Sequence, residues 1–299
     1  LHGLSFPKNP KWEKRIGDDG MKYLKIVLTV CLLIVFLSGC NLITLKEPFS
    51  REIGLGSIKE IYVQTKNGSI SVLGMDTSLI YVSGEKHVQG LGNLSEEIQK
   101  INITYEIVND ALIIKVDAPS SSNFLTRSSY GANFDIKVPA SLLSAIYADT
   151  SNGSIKVGDV ESKLRLNSSN GTIDLSRVKG TVDVATSNGA ILFYHVQLIE
   201  GTHSAVTSNG RIEGDVAFPV NGSCRLRTSN GAIRLNVPTA SSLNFRAETS
   251  NGGISYSNLP VVLNQTGKTR QSGTLREGTF LLDIVTSNGS IHMEGVPSW

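Results

Sequence analysis

Cysteine is scarce: the 299 residues hold three, Cys31, Cys40 and Cys224, and their spacing offers no disulfide framework. Charge of one sign is scarce too. The chain has 28 basic and 26 acidic residues, of which residues 1–39 take six and three, leaving 22 against 23. That balance argues against bulk electrostatic capture of nucleic acid, which needs clustered Lys and Arg. A membrane-spanning run is lacking as well. Ile26 to Leu37 gives 12 residues of apolar character, short of what ~30 Å of hydrocarbon asks of a helix. No Pro-rich or Ser-rich linker divides the remainder, which suits one elongated domain.

What stands near the N-terminus reads as a signal peptide. Met21-Lys22-Tyr23-Leu24-Lys25 is a short positive segment, Ile26 to Leu37 is the apolar one, and Leu37-Ser38-Gly39-Cys40 follows at once. That ending resembles the lipobox of bacterial lipoproteins, which implies that the Cys40 thiol is lipidated and becomes the new N-terminus. Cys31 then leaves with the signal, and Cys224 remains alone. The expected order is an upstream extension over 1–20, a signal peptide over 21–39 and a tether over 40–57. Degenerate coils follow over 58–145 and a regular array over 146–295. The expected address is the bacterial envelope, exported and lipid-anchored, with the membrane as a partner through the lipid.

The array is a repeated phrase. Thr/Ser-Ser-Asn-Gly-x-Ile begins at Thr150, Ser168, Thr186, Thr207, Thr228, Thr249 and Thr286, and Thr65-Lys66-Asn67-Gly68-Ser69-Ile70 is an upstream variant. From Gly153 to Gly252 the glycines are 18, 18, 21, 21 and 21 residues apart, a period that marks a solenoid. Before each phrase the residues alternate apolar and polar, as in a strand with one buried face. Ile146, Leu164, Val182, His203, Cys224, Phe245 and Leu282 form one inward column; Ala148, Leu166, Val184, Ala205, Leu226, Ala247 and Ile284 form the next. A second strand starts at the Ile after each glycine. The fold class is therefore all-β: a right-handed parallel β-solenoid, or β-helix, with coils of ~18–21 residues.

Asn-Gly is also a hairpin signal, but the columns keep one phase from repeat to repeat, as coils stacked about 4.8 Å apart would. The motif then reads as a corner rather than a ligand site. Its residues are Asn152-Gly153, Asn170-Gly171, Asn188-Gly189, Asn209-Gly210, Asn230-Gly231, Asn251-Gly252 and Asn288-Gly289. In this reading the glycine supplies a positive φ, and the Asn and Thr/Ser side chains bond their counterparts in the next coil. Asn109-Asp110-Ala111-Leu112 occupies the place of a degenerate corner, 42 residues after Gly68 and 43 before Gly153. Strands are expected near 80–83, 101–107, 111–116 and 134–138, with a helical insertion over 94–100. Ser257 to Thr279 reads as a polar excursion before the last coil. Each end of the stack needs a cap.

These features resemble one family. Phe134-Asp135-Ile136-Lys137-Val138-Pro139, the coil from Ile61 to Val72, the repeated corners, and Ser272-Gly273-Thr274-Leu275-Arg276-Glu277-Gly278 leading to the last corner are similar to the DUF4097 group of adhesin-like bacterial envelope proteins. The resemblance covers about residues 55–295. It implies a β-helical form and brings no catalytic residues with it.

Three clusters invite chemistry. Asp149, Arg165 and Asp183 share an outward side, where mixed signs on adjacent strands read more simply as ion pairs than as a polysaccharide-cleaving site. Arg225, Arg227 and Arg246, with Arg211 and Arg234 nearby, are the candidate binding residues for an anionic polymer. Glu213 or Glu248 would otherwise offset them, leaving a solvated face. His203 and Cys224 share an inward column, but two ligands do not close a metal site, so no metal or cofactor is expected. The expected function is non-enzymatic binding or scaffolding of a surface polysaccharide or an envelope protein. An envelope-stress or membrane accessory protein is one alternative; a polysaccharide-active β-helix enzyme is another.

Overall fold

A computed structural model describes residues 43–119 and 128–299. The segments expected to be an upstream extension and a signal peptide, and the expected lipidation residue Cys40, lie outside those residues. Thr44–Trp299 is one compact unit, built from two twelve-stranded sheets. The alternation seen in sequence is the reason. Lys163–Ser168 pairs in parallel with Ala145–Thr150 on one side and Val182–Thr186 on the other, which sets Leu164 between Ile146 and Val182. The chain then turns at Asn170-Gly171 and crosses to the second sheet. There Ile173–Ser176 lies between Ile155–Gly158 and Ile191–Leu198, so Ile173 sits between Ile155 and Ile191. Both expected inward columns are buried, His203 and Cys224 included, and they merge into one core between the sheets. Each fully buried Ile or Leu contributes roughly 1.5–3 kcal/mol.

At the corners the glycine plays a different part from the one expected. None of the motif glycines has a left-handed φ. Glycine is needed because the backbones touch: a Cβ on Gly171 would lie 1.8 Å from the Gly153 carbonyl oxygen, and one on Gly231 would lie 1.8 Å from that of Gly210. The side chains explain why the corners come so close. Asn170 donates to Asn152, Asn188 to Asn170, Asn209 to Asn188, Asn230 to Asn209, Asn288 to Asn230 and Asn251 to Asn288, each at 2.7 Å. This is the amide ladder expected. The buried hydroxyls do not bond one another, however. Thr207 accepts from the Gly210 N–H of its own coil and donates to the Gly189 carbonyl of the coil before, at 3.2 and 2.9 Å. One side chain thereby satisfies two backbone groups that would otherwise be orphaned in the interior.

At both ends the stack departs from chain order. Phe280–Thr286 is inserted between Gly222–Arg227 and Leu243–Thr249. Its second strand, Ile291–Val296, likewise separates Ile233–Pro238 from Ile254–Ser257. The expected polar excursion is an antiparallel hairpin, Val261–Gln265 with Arg270–Leu275, which covers the outer edge of Leu243–Thr249. At the other end Glu60–Gln64 lies directly against Ala145–Thr150, with Ala111–Asp117 outside it. Asn109-Asp110 is not a corner. Both residues have positive φ, 50° and 62°, and they turn the antiparallel hairpin of Asn102–Val108 with Ala111–Asp117. That pair of angles is what a tight two-residue hairpin demands.

The expected helical insertion is present as the short helix Leu94–Ile98. Residues 43–54, expected to be tether, form a 12-residue strand instead. It lies beside Leu79–Gly90, and Phe49 and Ile53 pack on the core. Few of its residues are apolar, so a pattern based on burial alone passes over it. Leu79–Gly90 runs antiparallel to Ser129–Pro139, and the two outer strands cap that sheet.

Candidate binding groove

Opposite the Asn-Gly corners, the chain turns again, and here three non-glycine residues stack in the left-handed region. Asp159, Arg177 and His195 have φ of 56°, 51° and 52°. Arg177 N–H donates to the Tyr194 carbonyl and Asp159 N–H to that of Ser176, at 2.8 and 3.0 Å. The Arg177 guanidinium also grips both oxygens of Asp159, at 2.5 and 2.6 Å, and holds that carboxyl below the usual carboxylate range. Below this ridge Lys179 pairs with Glu161 at 2.7 Å.

The ridge stops at His195. In the next coil the register jumps: Phe193 lies opposite Gly214 but Val196 lies opposite Val216. Tyr194 and His195 therefore face the single residue Asp215 and form a bulge, which bends the strand and turns side chains outward. Gly214 serves the bulge, since a Cβ there would lie 1.8 Å from the Phe193 carbonyl oxygen. Beyond the bulge a groove of about 660 Å³ opens over Ala217, Phe218, Pro238 and Ala240. Tyr194 and Trp299 flank it and are 51% and 44% exposed. The His195 ring stands edge-on to both, with centroids 4.3 Å from Tyr194 and 5.1 Å from Trp299. Gln197, Ser241 and Ser298 add hydrogen-bonding groups to the lining.

Sequence reasoning missed this groove, although a signal was there. Ile191-Leu192-Phe193-Tyr194-His195-Val196 puts apolar or aromatic residues at positions that other repeats leave polar, as in Ile173-Asp174-Leu175-Ser176.

The arginine cluster is differently arranged from its expected form. Because the last coil is inserted, Asp283 stands in register between Arg225 and Arg246 and pairs with Arg225 at 3.4 Å. Glu248 bonds both Arg246 and Arg270, at 2.6 and 2.5 Å, and its carboxyl is lowered by Arg270 and then Arg246. Arg227 is flanked by Val206 and Val285. The charges are thus largely offset within the chain, and Arg211 and Arg234 share Glu213 in the same way. Arg165 pairs with Asp183 at 3.8 Å, while Asp149 is in register with Asn167 instead. Among the described residues no three metal-ligating side chains converge, and no helix is long and apolar enough to cross a membrane.

His203 and Cys224 are neighbours in register. The imidazole Nδ1 accepts from Val182 N–H at 3.2 Å and Nε2 donates to the Ile199 carbonyl at 2.9 Å, so the ring is neutral. Burial lowers its pKa and pushes the Cys224 thiol up to about 12. The unfolded chain therefore takes up a proton as pH falls below the ordinary histidine value near 6.5, while the folded chain resists. Stability is expected to fall below pH 6.5 and to level off once the folded ring also protonates. His87, lowered by burial as well, adds in the same direction. Urea midpoints at pH 7.5 and 5.0 check this: the drop shrinks in His203→Gln if the assignment holds and is unchanged if it does not.

Among curated proteins none matches the chain significantly. A proposed cell adhesion protein from Clostridium sporogenes is 11% identical, with 84% of this chain and 100% of that one covered and a TM-score of 0.39. Proposed adhesins from Parabacteroides merdae and Parabacteroides distasonis are 13% and 15% identical, with TM-scores of 0.38 and 0.37. Each of these covers 83% of this chain, and 96% and 97% of its own. The sequence profile described as Toastrack DUF4097 matches residues 52–294, which run from the outermost strand through every corner to the inserted last coil, and the chain belongs to that family.

Proposed function

We propose that this protein is an exported binding protein of the bacterial envelope, anchored through a lipid on Cys40 and without enzymatic activity. It is adhesin-like: a rigid right-handed solenoid of ~18–21-residue coils that presents one groove to a surface polymer. The observation that carries this reading is the groove itself, where Tyr194 and Trp299 stand exposed on either side of the half-buried His195 ring, over a floor of Ala217, Phe218, Pro238 and Ala240. Exposed aromatic rings with hydrogen-bonding groups around them suit sugar rings, which have apolar faces and polar rims. The nearby cations Arg177 and Lys179 are already neutralised by Asp159 and Glu161. A neutral polysaccharide therefore fits better than an anionic one. Asp159 and Glu161 are held in those ion pairs and Asp215 accepts from the Asn236 side chain at 2.8 Å, which disfavours a hydrolase or lyase.

Retention on cell wall preparations and on immobilised neutral and anionic polysaccharides tests the reading. Saturable retention on a neutral polymer is expected, and Tyr194→Ala or Trp299→Ala is expected to weaken it at least about tenfold. Arg225→Ala with Arg227→Ala should leave it unchanged. Equal retention of parent and groove variants would remove the groove from the account. No retention on any polymer would favour an accessory protein with a membrane partner.

A further inference from the structure

The inserted last coil has an unusual status. Phe280–Thr286 and Ile291–Val296 fill a gap whose two walls, the strands of 222–238 and of 243–257, are both earlier in sequence. Each wall offers a complete row of backbone groups and an open rung of the corner ladder. Thr286 donates to the Gly231 carbonyl and Asn288 to Asn230 on one side; Thr249 donates to the Gly289 carbonyl and Asn251 to Asn288 on the other. Phe280, Leu282, Ile284, Ile291 and Met293 complete the core there. Nothing in this set of contacts distinguishes the chain's own last coil from that of an identical chain.

The connection into the gap is short. Leu243 is in register with Leu275 on one side and Phe280 on the other, so residues 276–279 must wrap around the end of that strand. Arg276 and Gly278 take φ of 55° and 67° to do so. For an arginine this backbone region is disfavoured. A tight connection with a disfavoured residue is the kind of hinge that opens to exchange an element with a second copy.

We propose that the coil of residues 280–296 is exchangeable between copies, so that two chains pair by each filling the other's gap. The geometry gives the exchange a further consequence, which rests on the binding reading above. Trp299 follows directly from the exchanged strand and stands against His195, so in the pair each groove is walled by a tryptophan of the other chain. Two chains anchored on facing surfaces would be linked by the same contacts that complete each fold.

Cys224 gives the test, because it is in register with Leu282 and both side chains are buried. The chain with Cys31→Ser, Cys40→Ser and Leu282→Cys is unfolded, refolded over a range of concentrations and oxidised. Exchange predicts a covalent dimer whose share rises with concentration, at the expense of an internally bridged monomer. Insertion of two glycines after Gly278, which relaxes the short connection and keeps the bond from Arg276 Nε to the Thr239 carbonyl at 3.1 Å, is expected to lower the dimer share about fivefold at a fixed concentration. Monomer alone at every concentration would overturn the proposal. Should the cysteine variant not fold, two differently tagged parent chains refolded together replace it. Their co-capture, with none when separately folded chains are briefly mixed, supports exchange; absence of co-capture after joint refolding overturns it. Because every readout is covalent or by tag, failure of polymer binding leaves the result intact.

Discussion

Gly210→Ala is expected to lower stability by at least about 3 kcal/mol, read as a shift of the urea midpoint. The new Cβ would sit 1.8 Å from the Gly189 carbonyl oxygen and 2.5 Å from its carbon. No rotamer relieves a Cβ clash, so the two corners must separate. Separation stretches the Thr207 bond to that same carbonyl and the Asn209 to Asn188 bond, and a buried carbonyl left unpaired costs about 1–3 kcal/mol more. Two controls locate the cause. Gly253 has open space where its Cβ would be, so Gly253→Ala should be neutral or slightly stabilising. Gly210→Asn distinguishes steric approach from backbone conformation, because asparagine tolerates a left-handed φ but carries a Cβ. It should be at least as damaging as alanine; a mild effect would reinstate the conformational explanation.

The case of the glycines shows where sequence stops being sufficient. Period and phase identify the repeat, the strands and the inward columns, since those depend on burial alone and burial follows alternation. Why a residue must be glycine depends on what lies across from it. A left-handed corner and a close approach of two carbonyl backbones leave the same letter at the same spacing. The same limit explains Asn109-Asp110, where a hairpin and a coil corner share their composition and differ only in the direction of the next strand.

Stack order is lost for a related reason. Repeats with equivalent corners fit against one another in any order, so the insertion of Phe280–Thr286 beside Gly222–Arg227 is decided by the hairpin Val261–Gln265 and Arg270–Leu275, whose pattern reads as loop. The order also decides the charges. Arg225 and Arg246 belong to successive repeats in sequence and would repel if stacked directly; the inserted coil places Asp283 between them. The groove was half legible. Tyr194 and His195 break the local alternation, but the bulge that turns them outward and the approach of Trp299 are long-range events.

Ile173→Asp tests the core at its most regular point. Ile173 is fully buried and is held between Ile155 and Ile191, the middle of a column with apolar neighbours on both sides. A carboxylate there has no donor within the column, so it must either ionise unpaired or take up a proton, and both routes cost several kcal/mol. Loss of about 4 kcal/mol or more is expected, which for a fold of ordinary stability means poor soluble yield and a transition that begins without denaturant. The adjacent Asp174 projects to the opposite face beside Lys156 and Leu192, and Asp174→Asn should change the midpoint by no more than about 0.5 kcal/mol. Opposite outcomes from neighbouring positions are what a two-residue period demands. Since each coil contacts only its neighbours, damage at Ile173 should also spread outward from that coil. Amide exchange would then accelerate first at Ile155 and Ile191 and last at Ile291; uniform acceleration along the stack would instead mark one indivisible unit.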